Sequence, residues 1–66
     1  MNERDLEIIK LVKQEKEISS RAIYEKNSIP ISFATVKRIL SKLVDENLLI
    51  KIGQGKSTRY KVSPTY

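Results

Sequence analysis

Beyond Asp45 the apolar pattern of this chain changes period, and that change limits what the chain can fold into. From Ser32 to Glu46 the apolar residues Val36, Ile39, Leu40 and Leu43 span about 100° of a helical wheel, with Phe33 and Val44 at one margin. From Leu48 onward the pattern alternates: Leu48, Ile50 and Ile52 with Leu49 and Lys51, then Tyr60 and Val62 with Arg59 and Lys61. Gly53 and Gly55 lie between the two runs, where a tight turn needs residues that tolerate positive φ. The spacing therefore predicts a helix over 32–46 and a hairpin over 48–62. Ile50, Ile52, Tyr60 and Val62 are expected to face the core, and the tip is basic.

Two shorter helical segments precede this pair. Glu3 to about Lys16 has apolar residues at Leu6, Ile8, Ile9, Leu11 and Val12. Asn2 is the expected cap, and Asp5 and Glu7 fall in the first turn, where the helix dipole favours acids. Leu6, Ile8, Ile9 and Val12 form one broad face, and Leu11 falls outside it. Either the helix is covered on two sides, or Leu11 marks a self-association surface. Glu17-Ile18-Ser19 reads as a short extended link. Ser19 or Ser20 then caps a second helix, Arg21 to about Asn27, with Ile23 facing inward. Asn27 tolerates left-handed geometry at a helix end, and Pro30 cannot continue the helix. The expected fold class is α+β, a three-helix core with a C-terminal hairpin. Residues 1–66 form a single domain, near the lower size limit for independent folding.

Composition excludes several chemistries. The 66 residues hold no cysteine and no histidine, so disulfides, thiol nucleophiles, the common zinc sites and imidazole acid-base catalysis are all absent. The longest apolar runs are short, which rules out a membrane-spanning helix, and a cytoplasmic protein is expected. Glu3, Asp5, Glu7, Glu15, Glu17 and Glu25 fall in charge-balanced helices and read as solvated surface. No catalytic carboxylate pair, metal or cofactor is expected. Gly55-Lys56-Ser57-Thr58 looks like the tail of a phosphate-binding nucleotide loop, but that loop needs a glycine five positions before Gly55, where Ile50 stands. Thr58-Arg59-Tyr60-Lys61-Val62 is a strand pattern, without a helix N-terminus to hold phosphate. Nucleotide binding fails on spacing and on context.

The charge is unevenly placed. Residues 1–30 balance six cations against six acids, whereas residues 31–66 set Lys37, Arg38, Lys42, Lys51, Lys56, Arg59 and Lys61 against Asp45 and Glu46. The whole net charge of +5 therefore lies in the second half, as expected for a chain that meets a polyanion.

Ile31-Ser32-Phe33-Ala34-Thr35-Val36-Lys37-Arg38-Ile39-Leu40 resembles the V-S-x-x-T-[VI]-x-R-x-L signature of bacterial winged helix-turn-helix transcription regulators. Leu43 to Leu49 resembles the L-x-x-x-G-hydrophobic exit of that helix, with Asn47 in place of glycine. Lys51 to Val62 resembles the wing. Its G-x-G-K-S-T-x-Y form is similar to winged-helix modules attached to larger bacterial proteins, Fic-type ones among them. The resemblance covers about residues 6–62, with the helix-turn-helix over about 20–46. Two features depart from it. Tyr24 stands where a small residue is usual, and Ile29-Pro30 lengthen the turn by about two residues.

The resemblance implies that helix 32–46 enters the major groove of double-stranded DNA and that wing residues 53–59 meet the backbone or minor groove. The residues agree: opposite the apolar arc lie Ala34, Lys37, Arg38 and Ser41, with Thr35 and Lys42 at one edge and no acid before Asp45. Lys37 and Arg38 are assigned jointly, either able to donate to a guanine edge, with pairing to a nearby acid that orients the helix as the other role open to Arg38; Ala34 and Thr35 can approach a thymine methyl. Ser20 and Ser32 can meet phosphates at helix starts. Gln54 can either enter the minor groove or stay solvated in the turn, and Lys56, Ser57 and Arg59 are free to lean on the backbone. Phe33 is expected to pack beneath the turn with Ile29 and Ile31. A second reading makes the domain a protein-interaction or dimerisation module of a larger protein. The broad arc of helix one and the abrupt Ser63-Pro64-Thr65-Tyr66 ending suggest a missing neighbour, either a second copy through helix one or an attached domain.

Overall fold

The computed structural model describes residues 3–27, 30–55 and 58–64, so the expected cap at Asn2 lies outside the described residues. Serine hydroxyls start two of the three helices. Helix α1 runs Glu3–Glu15, α2 Ser20–Lys26 and α3 Phe33–Asp45. Ser19 caps α2 and Ser32 caps α3, each in an extended conformation and each accepting the amide N–H three residues ahead at 3.2 Å. At the end of α2, Asn27 is extended (φ −64°, ψ 132°) and not left-handed as its type suggested. Its N–H still reaches the Ile23 carbonyl at 2.9 Å, so the helix end is satisfied and the chain leaves directly toward the turn.

The end of α3 depends on Asn47. This residue adopts φ 63°, the left-handed geometry that a glycine would supply at the same place. The Asn47 N–H then donates to Val44 O at 3.0 Å, and the Leu48 N–H donates to Leu43 O at 2.9 Å. These two bonds satisfy the last carbonyls of α3 and reverse the chain into the hairpin.

Strands β1 (Leu49–Ile52) and β2 (Arg59–Val62) pair antiparallel, with Leu49 opposite Val62, Ile50 opposite Lys61, Lys51 opposite Tyr60 and Ile52 opposite Arg59. Ile18, in the link between α1 and α2, forms a two-way bridge with Tyr60. The Ile18 N–H donates to Tyr60 O at 3.0 Å, and the Tyr60 N–H donates to Ile18 O at 2.8 Å. Three helices followed by an antiparallel hairpin give the α+β layout of a winged helix.

One cluster forms the core: Ile8, Ile9, Val12, Ile18, Ile23, Val36, Ile39, Leu40, Leu43, Leu49 and Tyr60. Burying an aliphatic side chain of this size stabilises by about 1.5–3 kcal/mol. Leu40, on the innermost line of α3, is fully enclosed.

Two sequence expectations are corrected. In the hairpin, the core-facing residue of β1 is Leu49, 2% exposed, while Ile50 and Ile52 are only half-buried. Opposed residues share a face of a sheet, so Leu49 and Lys51 lie on the side of Val62 and Tyr60, and Ile50 and Ile52 on the other. In α1, Leu6 is 48% exposed and Asp5 is only 1% exposed, the reverse of the expected order. The buried stripe is Asp5, Ile8, Ile9 and Val12, which places Leu6 on its flank. Leu11 packs partly against the core, so α1 is covered on that side as well.

Candidate nucleic-acid interface

Helix α3 buries Val36, Ile39, Leu40 and Leu43, and the same rotation turns Ala34, Lys37, Arg38 and Ser41 to the surface. No acid falls between Ser32 and Lys42. Neither Lys37 nor Arg38 is paired with a carboxylate among the described residues. This outward pair is therefore open to an anion. Ser32 and Thr35 are differently engaged: their hydroxyls lie 2.9 Å apart, and Ser32 Oγ also accepts the Thr35 N–H. Their first role is to start the helix.

Phe33, the first residue of α3, is half-buried and packs on Tyr24 of α2. Their ring centroids are 5.6 Å apart and the planes meet at 71°, an edge-to-face contact. Tyr24, larger than the resemblance anticipates, thus gives Phe33 its packing partner. The expected partner Ile29 lies outside the described residues. Arg21 Cζ lies 6.0 Å and Lys37 Nζ 5.7 Å from the centre of the Phe33 ring. Arg21 also pairs with Glu25 at 3.4 Å, whereas Lys37 has only the ring as a charge partner among the described residues.

Lys42, expected at the edge of the DNA-facing set, is held elsewhere. Its Nζ donates to Asp5 Oδ2 at 2.7 Å, joining α3 to the buried acid of α1. The hydrogen bond that Lys42 donates to Asp5, and secondarily the charges of Asp5 and Glu46, raise the Lys42 pKa above its ordinary 10.5, with burial opposing. Asp5 is accordingly a structural acid and no part of the solvated surface it was expected to join.

Beside α3 a groove runs along the base of the hairpin, lined by Ser20, Lys37, Lys51, Gly55, Thr58 and Tyr60. Five elements meet there: the start of α2, the outer face of α3, β1, the turn and β2. Gly53 (φ 82°) and Gly55 (φ 58°) both need the left-handed geometry that glycine adopts without strain. Thr58 closes the turn, its N–H and its Oγ1 both donating to Gly55 O, at 3.2 and 2.9 Å. A second groove on the other side of Lys51 is lined by Ser41, Val44, Asp45, Lys51 and Tyr60.

Of the sequence-predicted site residues, Ser20 and Lys37 line the first groove, Ser41 lines the second, and Ala34 and Arg38 share the outer face of α3. Gln54 and Arg59 are exposed at the far end of the hairpin. Lys56 and Ser57 lie outside the described residues. Lys51 and Thr58 also line the first groove, although neither was among the expected residues. The signal for Lys51 was present in its pairing with Tyr60, which requires the strand register.

Burial pushes the Tyr60 phenol above its ordinary value of 10.0. Both Tyr60 and Lys42 therefore have folded-state pKa values above their unfolded ones. Their contributions are complete below about pH 10 and are lost as pH rises through the raised values. Melting followed by circular dichroism from about pH 8 to 11 should show a falling alkaline limb, made shallower by Tyr60→Phe.

Among the described residues no helix is long and apolar enough to cross a membrane, and no group of three or more His, Cys, Asp or Glu is placed to hold a metal. Comparison with curated proteins returned no match. The exposed cationic helix, its capped start and the hairpin beside it belong to a scaffold that recurs in one family of regulators. The family described as penicillinase repressor matches residues 1–65, nearly the entire chain, and the chain belongs to that family.

Proposed function

We propose that this domain binds double-stranded DNA and acts in transcriptional repression, with α3 in the major groove and the hairpin against the backbone. The observation that carries this reading is the acid-free outer face of α3. It presents Lys37 and Arg38 to solvent and continues into the groove that also holds Lys51. An α-helix fits the major groove, and arginine and lysine donate there to guanine O6 and N7. Ala34 and Ser41 share that face and complete the base-facing set. Ser32 and Thr35 fix the start of the helix, so their part in recognition is to set its angle. Arg59, Gln54 and, from the sequence, Lys56 and Ser57 form the backbone or minor-groove contacts of the wing. Lys42 is reserved for Asp5 and is left out of the contact set. Membership of a repressor family supports the regulatory direction.

The reading is tested by titrating a duplex at increasing salt. About four neutralised phosphates should give a slope of log affinity against log salt of roughly −3 to −4. No measurable binding to any duplex at about 50 mM salt, where such contacts are strongest, sinks it.

A further inference from the structure

We propose that the groove between α2, α3 and the hairpin base seats a single DNA phosphate between Lys37 and Lys51, and that this seat fixes the spacing between wing and recognition helix. The proposal rests on the duplex-binding reading and names the one backbone position at which helix and wing hold the same group.

The register of the hairpin gives the first argument. Lys51 lies opposite Tyr60, on the sheet face that carries Leu49 and Val62, so its stem runs along the helix side of the strand. Leu49 on that face is buried, but Lys51, two residues nearer the turn, is exposed and lines the groove, with a stem long enough to carry its ammonium to the opening. Lys37 lines the same groove from α3, with its Nζ 5.7 Å from the centre of the Phe33 ring. Lysines from two different elements thus line one groove, and no carboxylate is among its described lining residues. Like charges brought together in this way repel, and an anion between them removes the repulsion.

The rest of the lining suits a phosphate. Ser20 brings a hydroxyl that the α2 cap does not use, because Ser19 fills that position. Thr58 spends its hydroxyl proton on Gly55 O and so holds the turn that forms the far wall. A Cβ at Gly55 would meet nothing within 4 Å, so this glycine serves the turn's backbone geometry and leaves the groove width to its neighbours. The groove on the other side of Lys51 contains Asp45, which disfavours an anion there and directs the choice to the acid-free side.

The test uses a duplex carrying one neutral methylphosphonate at a time, scanned along both strands. With wild-type protein, one position should weaken binding by roughly fivefold to tenfold beyond its neighbours, the loss of one ionic contact. In Lys51→Ala that position should become insensitive, and the salt slope should fall by about 0.9. Lys37→Ala with Lys51→Ala should then weaken binding by less than the product of the single effects, because both lose the same phosphate. Lys51→Arg should keep the sensitive position, and Lys51→Gln, with a polar stem in place, should lose it. Melting curves of the free variants identify any loss of fold. If wild-type protein binds duplex but Lys51→Ala and Lys51→Gln keep its slope and its methylphosphonate pattern, the seat is overturned alone. If wild-type protein binds no duplex, the duplex reading fails and the seat with it.

Discussion

Replacing Lys37 and Arg38 together by alanine should weaken duplex binding more than tenfold and reduce the salt slope by about 0.9 for each of the two that neutralises a phosphate, while leaving the fold in place. Both side chains are exposed and pair with no acid among the described residues, so their removal takes away little that holds the domain together. The contact that Lys37 makes with the Phe33 ring, at 5.7 Å, lies at the surface and is worth about 0.5–1 kcal/mol at most. Fluorescence anisotropy at several salt concentrations checks affinity and slope together, and thermal melting checks the fold. A double variant that binds within twofold of wild type would remove α3 from the interface, whatever the rest of the domain does.

Lys42→Ala should behave in the opposite way, with a large effect on stability and a small one on DNA. Asp5 is 1% exposed and its Oδ2 accepts the Lys42 ammonium at 2.7 Å. Without that cation, a carboxylate enclosed by the core loses its hydrogen-bonded ammonium, and losing a charge partner of a buried acid is among the more damaging single changes. The melting temperature of so small a domain should fall by on the order of 10 °C. Asp5→Asn in the Lys42→Ala background should recover part of the loss, because the buried group no longer carries charge. Affinity for a duplex, measured well below the transition, should change less than threefold. If Lys42→Ala instead melted like wild type and lost binding with a reduced salt slope, Lys42 would return to the DNA-facing set.

The two variants also mark what can be read from the amino-acid order. Features decided within one helix or one turn were legible. The apolar arc of α3, the serine caps, and Asn47 in a glycine position each depend on residues three to five apart, whose geometry is fixed once a helix is assumed. The parity of β1 was not legible. Leu48, Leu49, Ile50 and Ile52 are all apolar, so alternation fits either face, and only the pairing with β2 decides. A slip of one residue placed Ile50 and Ile52 inside. It also turned Lys51 away from α3, which is why a lysine in the groove was overlooked. Asp5 was missed for a related reason. Its partner lies far along the chain, on a helix whose rotation against α1 is set by the packed core. The two aromatic residues that meet at the start of α3 were each read alone, since nothing local to Tyr24 announces Phe33.

The bridge between Ile18 and Tyr60 bears on how the domain folds. Helices α2 and α3 are close in sequence and can find each other early, with little chain entropy lost. α1 is different. It meets α3 through Asp5 and Lys42, and the link that follows it reaches β2, near the other end of the chain, where two hydrogen bonds close a loop that contains α2, α3 and β1. Closure of that loop is the long-range step, expected after the local helices form, and it brings together two core residues, Ile18 and Tyr60. A chain cut before Tyr60 would therefore lose the partner of Ile18, one wall of the core and the anchor of α1 in a single step. Helix-turn-helix and hairpin are thus one cooperative unit, and a protease reaching the second strand would release all of it.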